Sequence, residues 1–408
     1  MDYHKLLNMA AELGRRLMAS GAEIYRVEES VNRLLTAYGL EPQVFSIPTC
    51  LIVSINTPEG QPITQMYRIP AHGTDIELLE RCNALCRRLC RETPPVEEAM
   101  RLVEDLDKHG REFSPWTLLL GYIAAPAFFA LFFCGTLRDS LCAAIAGLAV
   151  GVCLLFGQRL IGSNSFFRTV VCSCVISLVS LLLVLAGLGE HLEIITIGTL
   201  MVLVPGMALT NAMREIMASD LISGLLRTTE TLLIAAAIAL GTALPLLIGQ
   251  RLLSDFQTQT AASLSTLSCL WAVFACVGFG LVFNIHGRGI LICGFGASLG
   301  WMVYLLSIGW THSDVFSAFL AAMSIGAYSE VMARIRRCPV TGYLQVALLP
   351  LVPGAGIYNA MRYCISGDSQ MFISTLLHTI GFAAALSVGA MLVTSVLRTW
   401  LPRFHLWK

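Results

Sequence analysis

Charge is what this sequence has least of. Only 13% of its 408 residues are Asp, Glu, Lys or Arg, against about 25% in an ordinary soluble domain. The 27 basic and 27 acidic residues cancel to a formal net charge of zero. No basic surplus exists to neutralise phosphates, so nucleic acid is not expected as a partner. None of the 14 cysteines forms a CxxC pair, which removes the commonest thiolate zinc pattern. Cys82, Cys86 and Cys90 recur every four residues and so share one helix face. Cys172, Cys174, Cys269 and Cys276 lie in apolar runs. Both sets read as small hydrophobes used for packing, and no cofactor is expected. Met1 to Arg16 has no apolar leader, so the N-terminal part is expected to stay in the cytoplasm.

What the chain has instead is apolar surface, at 56% of residues, and it is unevenly spread. Residues 1–112 are rich in Glu and Arg and read as a small soluble α+β domain. Two amphipathic helices are expected near 3–19 and 22–38, punctuated by Gly14, Gly21 and Gly39. Strands follow near Gln43–Ile47, Leu51–Ile55 and Ile63–Ile69, separated by Pro48 and the turn Pro58-Glu59-Gly60. Two further helices are expected near 74–92 and 95–108. Glu23, Arg26, Glu28 and Glu29 cluster on the second helix. They read either as catalytic carboxylates or, preferably, as a solvated face with i,i+3 pairs such as Glu23–Arg26. No nucleophile elbow, P-loop or metal motif is present in residues 1–112.

From Trp116 onward the chain is a series of apolar runs, each near the 20 or so residues that cross a bilayer. Ten spans are expected: 116–134, 139–157, 169–188, 193–213 and 230–250, then 264–285, 289–307, 314–334, 341–361 and 370–397. A polar connector from Arg251 to Ala261 separates the two sets. With the N-terminal domain inside, the inner loops hold Arg159, Arg168, Arg214, Arg227, Arg288, Arg334, Arg336 and Arg337. The inner tail adds Arg398, Arg403 and Lys408. The outer loops hold only Arg138, Arg251 and Arg362. That asymmetry is the positive-inside pattern. It places both termini in the cytoplasm and the chain in the cell (inner) membrane, with the lipid bilayer as a partner.

The chain also repeats itself. Leu203-Val204-Pro205-Gly206 recurs as Leu351-Val352-Pro353-Gly354, and Asn211-Ala212-Met213-Arg214 as Asn359-Ala360-Met361-Arg362. Asp220 matches Asp368, and Gly241 matches Gly389. The offset is 148 throughout. Five spans per half is an odd number, so the second half must enter the membrane inverted, an architecture of secondary transporters. The fold class is therefore mainly α, a polytopic membrane protein with two inverted five-helix repeats at 113–250 and 262–400. The small α+β domain at 1–112 precedes them.

Pro and Gly side by side within an apolar span break the helix and expose backbone groups that can line a substrate site. Pro205, Gly206, Pro353 and Gly354 are therefore candidate substrate-binding positions. Asn211, Arg214 and Asp220 follow the first break; Asn359, Arg362 and Asp368 follow the second. An arginine suits a carboxylate, and Asn or Asp suits an ammonium or hydroxyl. The competing reading makes these residues helix caps and anchors at the two membrane faces. Glu230 and His378 occupy repeat-related places in the last span of each half. Ionisable groups in apolar spans are functional candidates, and these two are assigned to proton coupling. Glu330 and Arg334 are read as an i,i+4 structural pair. Gly147-x3-Gly151 and Gly296-x3-Gly300 are read as packing seams.

These segments together resemble the threonine/serine exporter family of bacteria and fungi, in its fused single-chain form. The resemblance rests on Gly21-Ala22-Glu23-Ile24-Tyr25-Arg26-Val27-Glu28-Glu29, on the strand from Pro48-Thr49 to Ser54, and on Pro205-Gly206 through Asn211, Arg214, Asp220, Ser223-Gly224 and Arg227 to Glu230. It continues in Pro339-Val340-Thr341-Gly342, in Pro353-Gly354-Ala355-Gly356-Ile357-Tyr358 and in His378-Thr379. It covers nearly the whole chain. Glu215 departs from the Asp expected after the arginine and keeps its charge. The resemblance implies export of threonine and serine driven by the proton gradient, and no enzyme activity. Two-subunit relatives resemble dicarboxylate (succinate) exporters, so a dicarboxylate is the alternative substrate, with Arg214 and Arg362 as its two cations. A membrane-anchored hydrolase is the alternative from another class. A homo-oligomer is compatible with the sequence but not specified by it.

Overall fold

The computed structural model describes residues 2–57, 60–69, 73–108, 113–157, 164–204, 206–252, 265–336 and 338–400. Pro58, Glu59, Pro205, Arg159, Arg337, residues 253–261 of the connector and the tail with Arg403 and Lys408 lie outside them.

The N-terminal part is α1 (Tyr3–Ala19), α2 (Ile24–Ala37), β1 (Pro42–Ile47), β2 (Cys50–Asn56), β3 (Pro62–Arg68), α3 (Ile76–Glu92) and α4 (Val96–Lys108). Asp2 caps α1 by accepting from the Lys5 N–H, and Asp75 caps α3 by accepting from Leu78. On α1, Leu6, Ala10, Leu13 and Leu17 recur at helical spacing and are buried. The antiparallel sheet runs β1-β2-β3 with Val44 opposite Val53 and Val53 opposite Gln65. Leu51, Val53 and Ile55 point from the central strand into the helices and are at most 1% exposed. Each contributes roughly 1.5–3 kcal/mol of burial, so Val53→Asp would open this core. Cys82 and Cys86 are buried in the same core.

The rest of the described chain is helical. In order come α5 (Pro115–Phe132), α6 (Leu137–Phe156), α7 (Ser165–Leu185), α8 (Leu192–Leu200), α9 (Gly206–Met217) and α10 (Leu221–Leu252). Then follow α11 (Ser268–Val282), α12 (Gly289–Thr311), α13 (Asp314–Arg336), α14 (Val340–Leu348), α15 (Gly354–Ser366) and α16 (Ser369–Trp400). Among the described residues, seven helices are long and apolar enough to cross a membrane: α5, α6, α7, α12, α13 and the apolar parts of α10 and α16. Val340–Leu351 with Gly354–Cys364 makes an eighth if that bent pair is one span. Their outward faces carry exposed Leu148, Leu182, Leu225, Leu299 and Leu377, as a lipid-facing belt requires. The inward faces carry buried Ser173, Ser180 and Ser387, whose hydroxyls donate to carbonyls one turn back. Gly147 lies so close to α5 that a Cβ there would come within 2.2 Å of the Tyr122 carbonyl oxygen. Helix ends moved most from expectation where polar caps extend an apolar run. The helix of the fifth expected span starts at Leu221 rather than 230, because Asp220 caps it through the Ser223 N–H.

The two parts share one core, which runs from Leu6 to Tyr343 and Val346. The α11–α12 turn carries the docking. The Ile76 N–H donates to the Phe283 carbonyl (3.1 Å), the Asn284 amide to Asp75 (3.0 Å), and Phe113 stacks on His286 at 4.0 Å. Gly342, on the first turn of α14, lies against Ile76. At the opposite end of the helices, Arg362 meets Glu193 and His378 lies 3.7 Å from Asp314.

Candidate functional site

In each half a pair of short helices occupies the place of one expected span. In the second half α14 ends at Leu348, a single 3-10 turn covers Leu349–Leu351, and α15 restarts at Gly354 with the axis bent by 52°. Pro353 has no N–H for the helical ladder. The chain instead folds on itself, with the Gly354 N–H donating to the Val352 carbonyl at 2.7 Å. In the first half the Leu203 and Val204 N–H groups both return to the Leu200 carbonyl (2.8 and 2.9 Å), and α9 restarts at Gly206.

The two breaks lie against each other. A Cβ built on Gly206 would sit 1.9 Å from Cγ1 of Val352, and one built on Gly354 would sit 2.9 Å from Cγ1 of Val204. Adding 148 to 206 and 204 gives 354 and 352, so these are one contact made twice with the halves exchanged. Only glycine lets the backbone of each break approach the valine of the other. Around the crossing, Ser387 of α16 donates to the Thr210 carbonyl of α9 at 2.8 Å, and Tyr358 of α15 is buried against Ile238 of α10.

At the end that faces the N-terminal part lies a chain of buried charges. Glu23, the residue before α2, is 6% exposed, and Arg214 of α9 is also 6% exposed. Arg214 Nη1 donates to Glu23 Oε1 at 2.5 Å. The other Glu23 oxygen lies 2.8 Å from Arg26 Nε. Burial alone would raise the Glu23 carboxyl, but the guanidiniums of Arg26 and Arg214 outweigh it and hold it down to about 2. Burial pulls Arg26 downward, and the Glu23 carboxylate, with Glu330 further off, keeps it above its usual range. Glu215 is 4% exposed. Its Oε1 lies 2.9 Å from Arg227 Nε, an ion pair by distance whose angle makes no hydrogen bond. Glu215 Oε2 and Arg214 Nη2 are buried and have no hydrogen-bond partner. Gly21, Glu23, Tyr25, Asn211, Arg214, Glu215 and Arg227 line a cavity of about 10 Å³, room for roughly one water molecule.

The structure thus brings Asn211 and Arg214 into one cavity. Asp220 and Asp368 cap α10 and α16, accepting from Ser223 (3.4 Å) and Met371 (3.0 Å). Asn359 is half-buried on α15. Arg362 donates to Glu193 Oε1 at 2.8 Å, at the far end from Arg214. Glu230 and His378 lie on exposed faces of α10 and α16. Pro205 lies outside the described residues.

Sequence reasoning gave Glu215, Arg227 and Glu193 no role in the site, and it misjudged Glu23. The Glu23–Arg26 pair exists, yet the face it belongs to is buried rather than solvated. The signal was present in the lone acid Glu193 at the head of an apolar run, and in Glu215 and Arg227 flanking the α9–α10 turn. Among the described residues, Asp139, Glu190 and His191 are close enough to share a metal ion. Asp139 is already saturated: it accepts from the Thr136 N–H and hydroxyl, the Glu190 and His191 N–H groups, and bonds His191 Nδ1 at 2.8 Å. That pattern ties the start of α6 to the start of α8.

Residues 8–249 match a protein family described as putative threonine/serine exporter, and residues 268–396 match a second profile described as threonine/serine exporter. A probable threonine/serine exporter of Mycobacterium tuberculosis is 23% identical, over 96% of this chain and 76% of its own length. A threonine/serine exporter of Corynebacterium glutamicum is 22% identical, over 98% of this chain and 82% of its own. A pheromone-regulated membrane protein of Debaryomyces hansenii is 22% identical over 93% of this chain and 39% of its own. No solved structure gives a significant match. With profiles matched across both halves, this chain belongs to the threonine/serine exporter family, a family of multi-pass membrane transporters rather than enzymes.

Proposed function

We propose that this protein is a secondary transporter of the cell (inner) membrane that exports threonine and serine in exchange for protons. The substrate passes between the two broken elements α8–α9 and α14–α15, which rock against each other at Gly206 and Gly354. The observation that carries this reading is the reciprocal contact of the two breaks. A contact that repeats when the halves are exchanged is what a two-fold relation between repeats produces. The packing around it supports the same relation, since α10 lies on α7 as α16 lies on α13.

The chain is then read as ten crossing elements in two inverted sets of five. The domains are 1–112, 113–250 and 262–400. Arg214 at the end of α8–α9 and Gly342 at the start of α14–α15 both touch the N-terminal part, so the two broken elements run in opposite directions. The N-terminal part lies against the helix ends near Arg227 and Arg336 and against the α11–α12 turn that precedes Arg288, which favours its cytoplasmic placement together with the C-terminus. Pro205, Gly206, Asn211, Arg214, Pro353, Gly354 and Asn359 are assigned to the pathway. Asp220, Asp368 and Arg362 are assigned to its rims. Glu230 and His378 are assigned to proton coupling, with Asp314 beside the His378 imidazole.

A counterflow assay in proteoliposomes tests this. Threonine-loaded vesicles should accumulate labelled threonine, and succinate-loaded vesicles should not accumulate labelled succinate. Succinate counterflow without threonine or serine counterflow would overturn it. The geometry disfavours a dicarboxylate, because Arg214 and Arg362 stand at opposite ends and cannot hold the two carboxylates of one small molecule.

A further inference from the structure

We propose that the buried cavity at Arg214 is the inner binding site for the amino-acid zwitterion, and that the Glu23 carboxylate is a tethered stand-in for the substrate's carboxylate. Arg214 receives the substrate carboxylate, Glu215 receives its ammonium, and Asn211 hydrogen-bonds a side-chain hydroxyl. Glu23 holds Arg214 until substrate displaces it. This inference rests on the exporter reading and names the substrate chemistry and the gate of its inner mouth.

Three features carry it. First, two oppositely charged groups that line one small cavity carry unused atoms. Arg214 and Glu215 are both more than nine-tenths buried, yet Arg214 Nη2 and Glu215 Oε2 have no hydrogen-bond partner there. Buried polar atoms are nearly always paired, and orphans of both signs side by side match a ligand bearing both signs. A dicarboxylate would place its second charge against Glu215, and a diamine would place one against Arg214.

Second, Glu23 grips Arg214 with one arm. Only Nη1 is engaged. Elsewhere in the chain Glu12 shows the stronger arrangement, accepting from both Nε and Nη2 of Arg15 at 2.8 and 2.6 Å. A free carboxylate that takes Arg214 in two-point fashion therefore has an advantage over the tethered one. Glu23 has somewhere to go, because Arg26 on its own helix already lies 2.8 Å from its second oxygen. Exchange of one carboxylate for another leaves no buried charge unpaired, whereas simple withdrawal of Glu23 would.

Third, the space is too small as it stands. A cavity of about 10 Å³ takes roughly one water and no amino acid. Entry of substrate therefore requires Glu23, and the Gly21-Ala22 turn that carries it, to move out. The N-terminal part is thereby coupled to substrate occupancy.

The test uses the full-length chain in inside-out membrane vesicles, with uptake of labelled threonine measured against concentration. Removing the competitor by Glu23→Gln should lower the threonine KM by about tenfold, the factor lost when the competent state is one tenth populated. Glu23→Asp, which withdraws the carboxylate by one methylene, should fall between the two and guards against a misfolded Gln variant. The charge swap Glu23→Arg with Arg214→Glu re-forms an ion pair but takes the cation off the α9 wall and puts it on the segment that must move out when substrate enters, so uptake should stay lost. Rescue of uptake by the swap would show a merely structural pair and overturn the proposal. Unchanged KM in both single Glu23 variants, with wild-type uptake intact, would overturn it while leaving the exporter reading in place. Absence of threonine and serine uptake by the wild-type chain would instead overturn the exporter reading and this inference with it.

Discussion

The crossing of the two breaks can be tested by adding a single methyl group. Gly206 is the first residue of α9 and has no positive φ, so alanine meets no backbone strain there. Alanine in a helix gains up to about 1 kcal/mol over glycine. Against that gain stands a Cβ only 1.9 Å from Val352 Cγ1. A contact this short demands that the valine or the helix shift, which costs typically about 1–3 kcal/mol in a filled core. The net expectation for Gly206→Ala is about 1–2 kcal/mol of destabilisation and reduced counterflow. Gly354→Ala should cost less, because its contacts are 2.9 Å to Val204 and 3.2 Å to the flexible Met201 sulfur. Val352→Ala alone should cost about 1–3 kcal/mol for its lost methyl groups. Combined with Gly206→Ala it should recover at least about 1 kcal/mol of coupling. Unfolding of the purified variants in detergent measures the stabilities, and counterflow measures function. A neutral Gly206→Ala, or a double variant no better than the sum of the singles, would refute the face-to-face crossing.

Three further outcomes follow from the charges. The folded Glu23 carboxyl sits at about 2, below the ordinary value of 4.5. Its contribution should therefore be complete above about pH 4.5 and be lost only as pH falls toward about 2. Stability of the wild-type chain relative to Glu23→Gln should stay flat from about pH 8 to about pH 5 and decline below; a decline centred near neutrality would contradict the assignment. Arg362 and Glu193 are partly buried partners, so Arg362→Met should cost about 1–3 kcal/mol of unfolding stability. Pairing it with Glu193→Met should recover much of that loss. Asp139→Ala should cost about 2–4 kcal/mol, since it orphans the Glu190 and His191 N–H groups. Hydrogen exchange at those two amides should speed up, and protection equal to wild type would dismiss Asp139 as the clamp.

How much of this was legible beforehand varied with the range of the forces involved. The strands expected at Gln43–Ile47 and Leu51–Ile55 came within a residue of those observed, because alternation of buried and open positions is written locally. Helix boundaries in the apolar part were less legible. The span expected from 169 begins at Ser165, where Asn164 accepts from the Phe166 and Phe167 N–H groups. An apolar window does not register such a cap.

The sequence by itself determined that long apolar helices follow a small α+β domain. It also determined that a Leu-Val-Pro-Gly break recurs at an offset of 148, because helix length, proline chemistry and repetition are properties of neighbouring residues. Only the tertiary structure decided that the two breaks meet, that Arg214 and Arg362 stand apart, and that Glu23 is a buried partner rather than a surface one. Glu23 and Arg214 are 191 residues apart in the chain, and nothing near either in sequence records the other. Their pairing arises when the N-terminal domain docks on the helix ends and removes water from both charges at once.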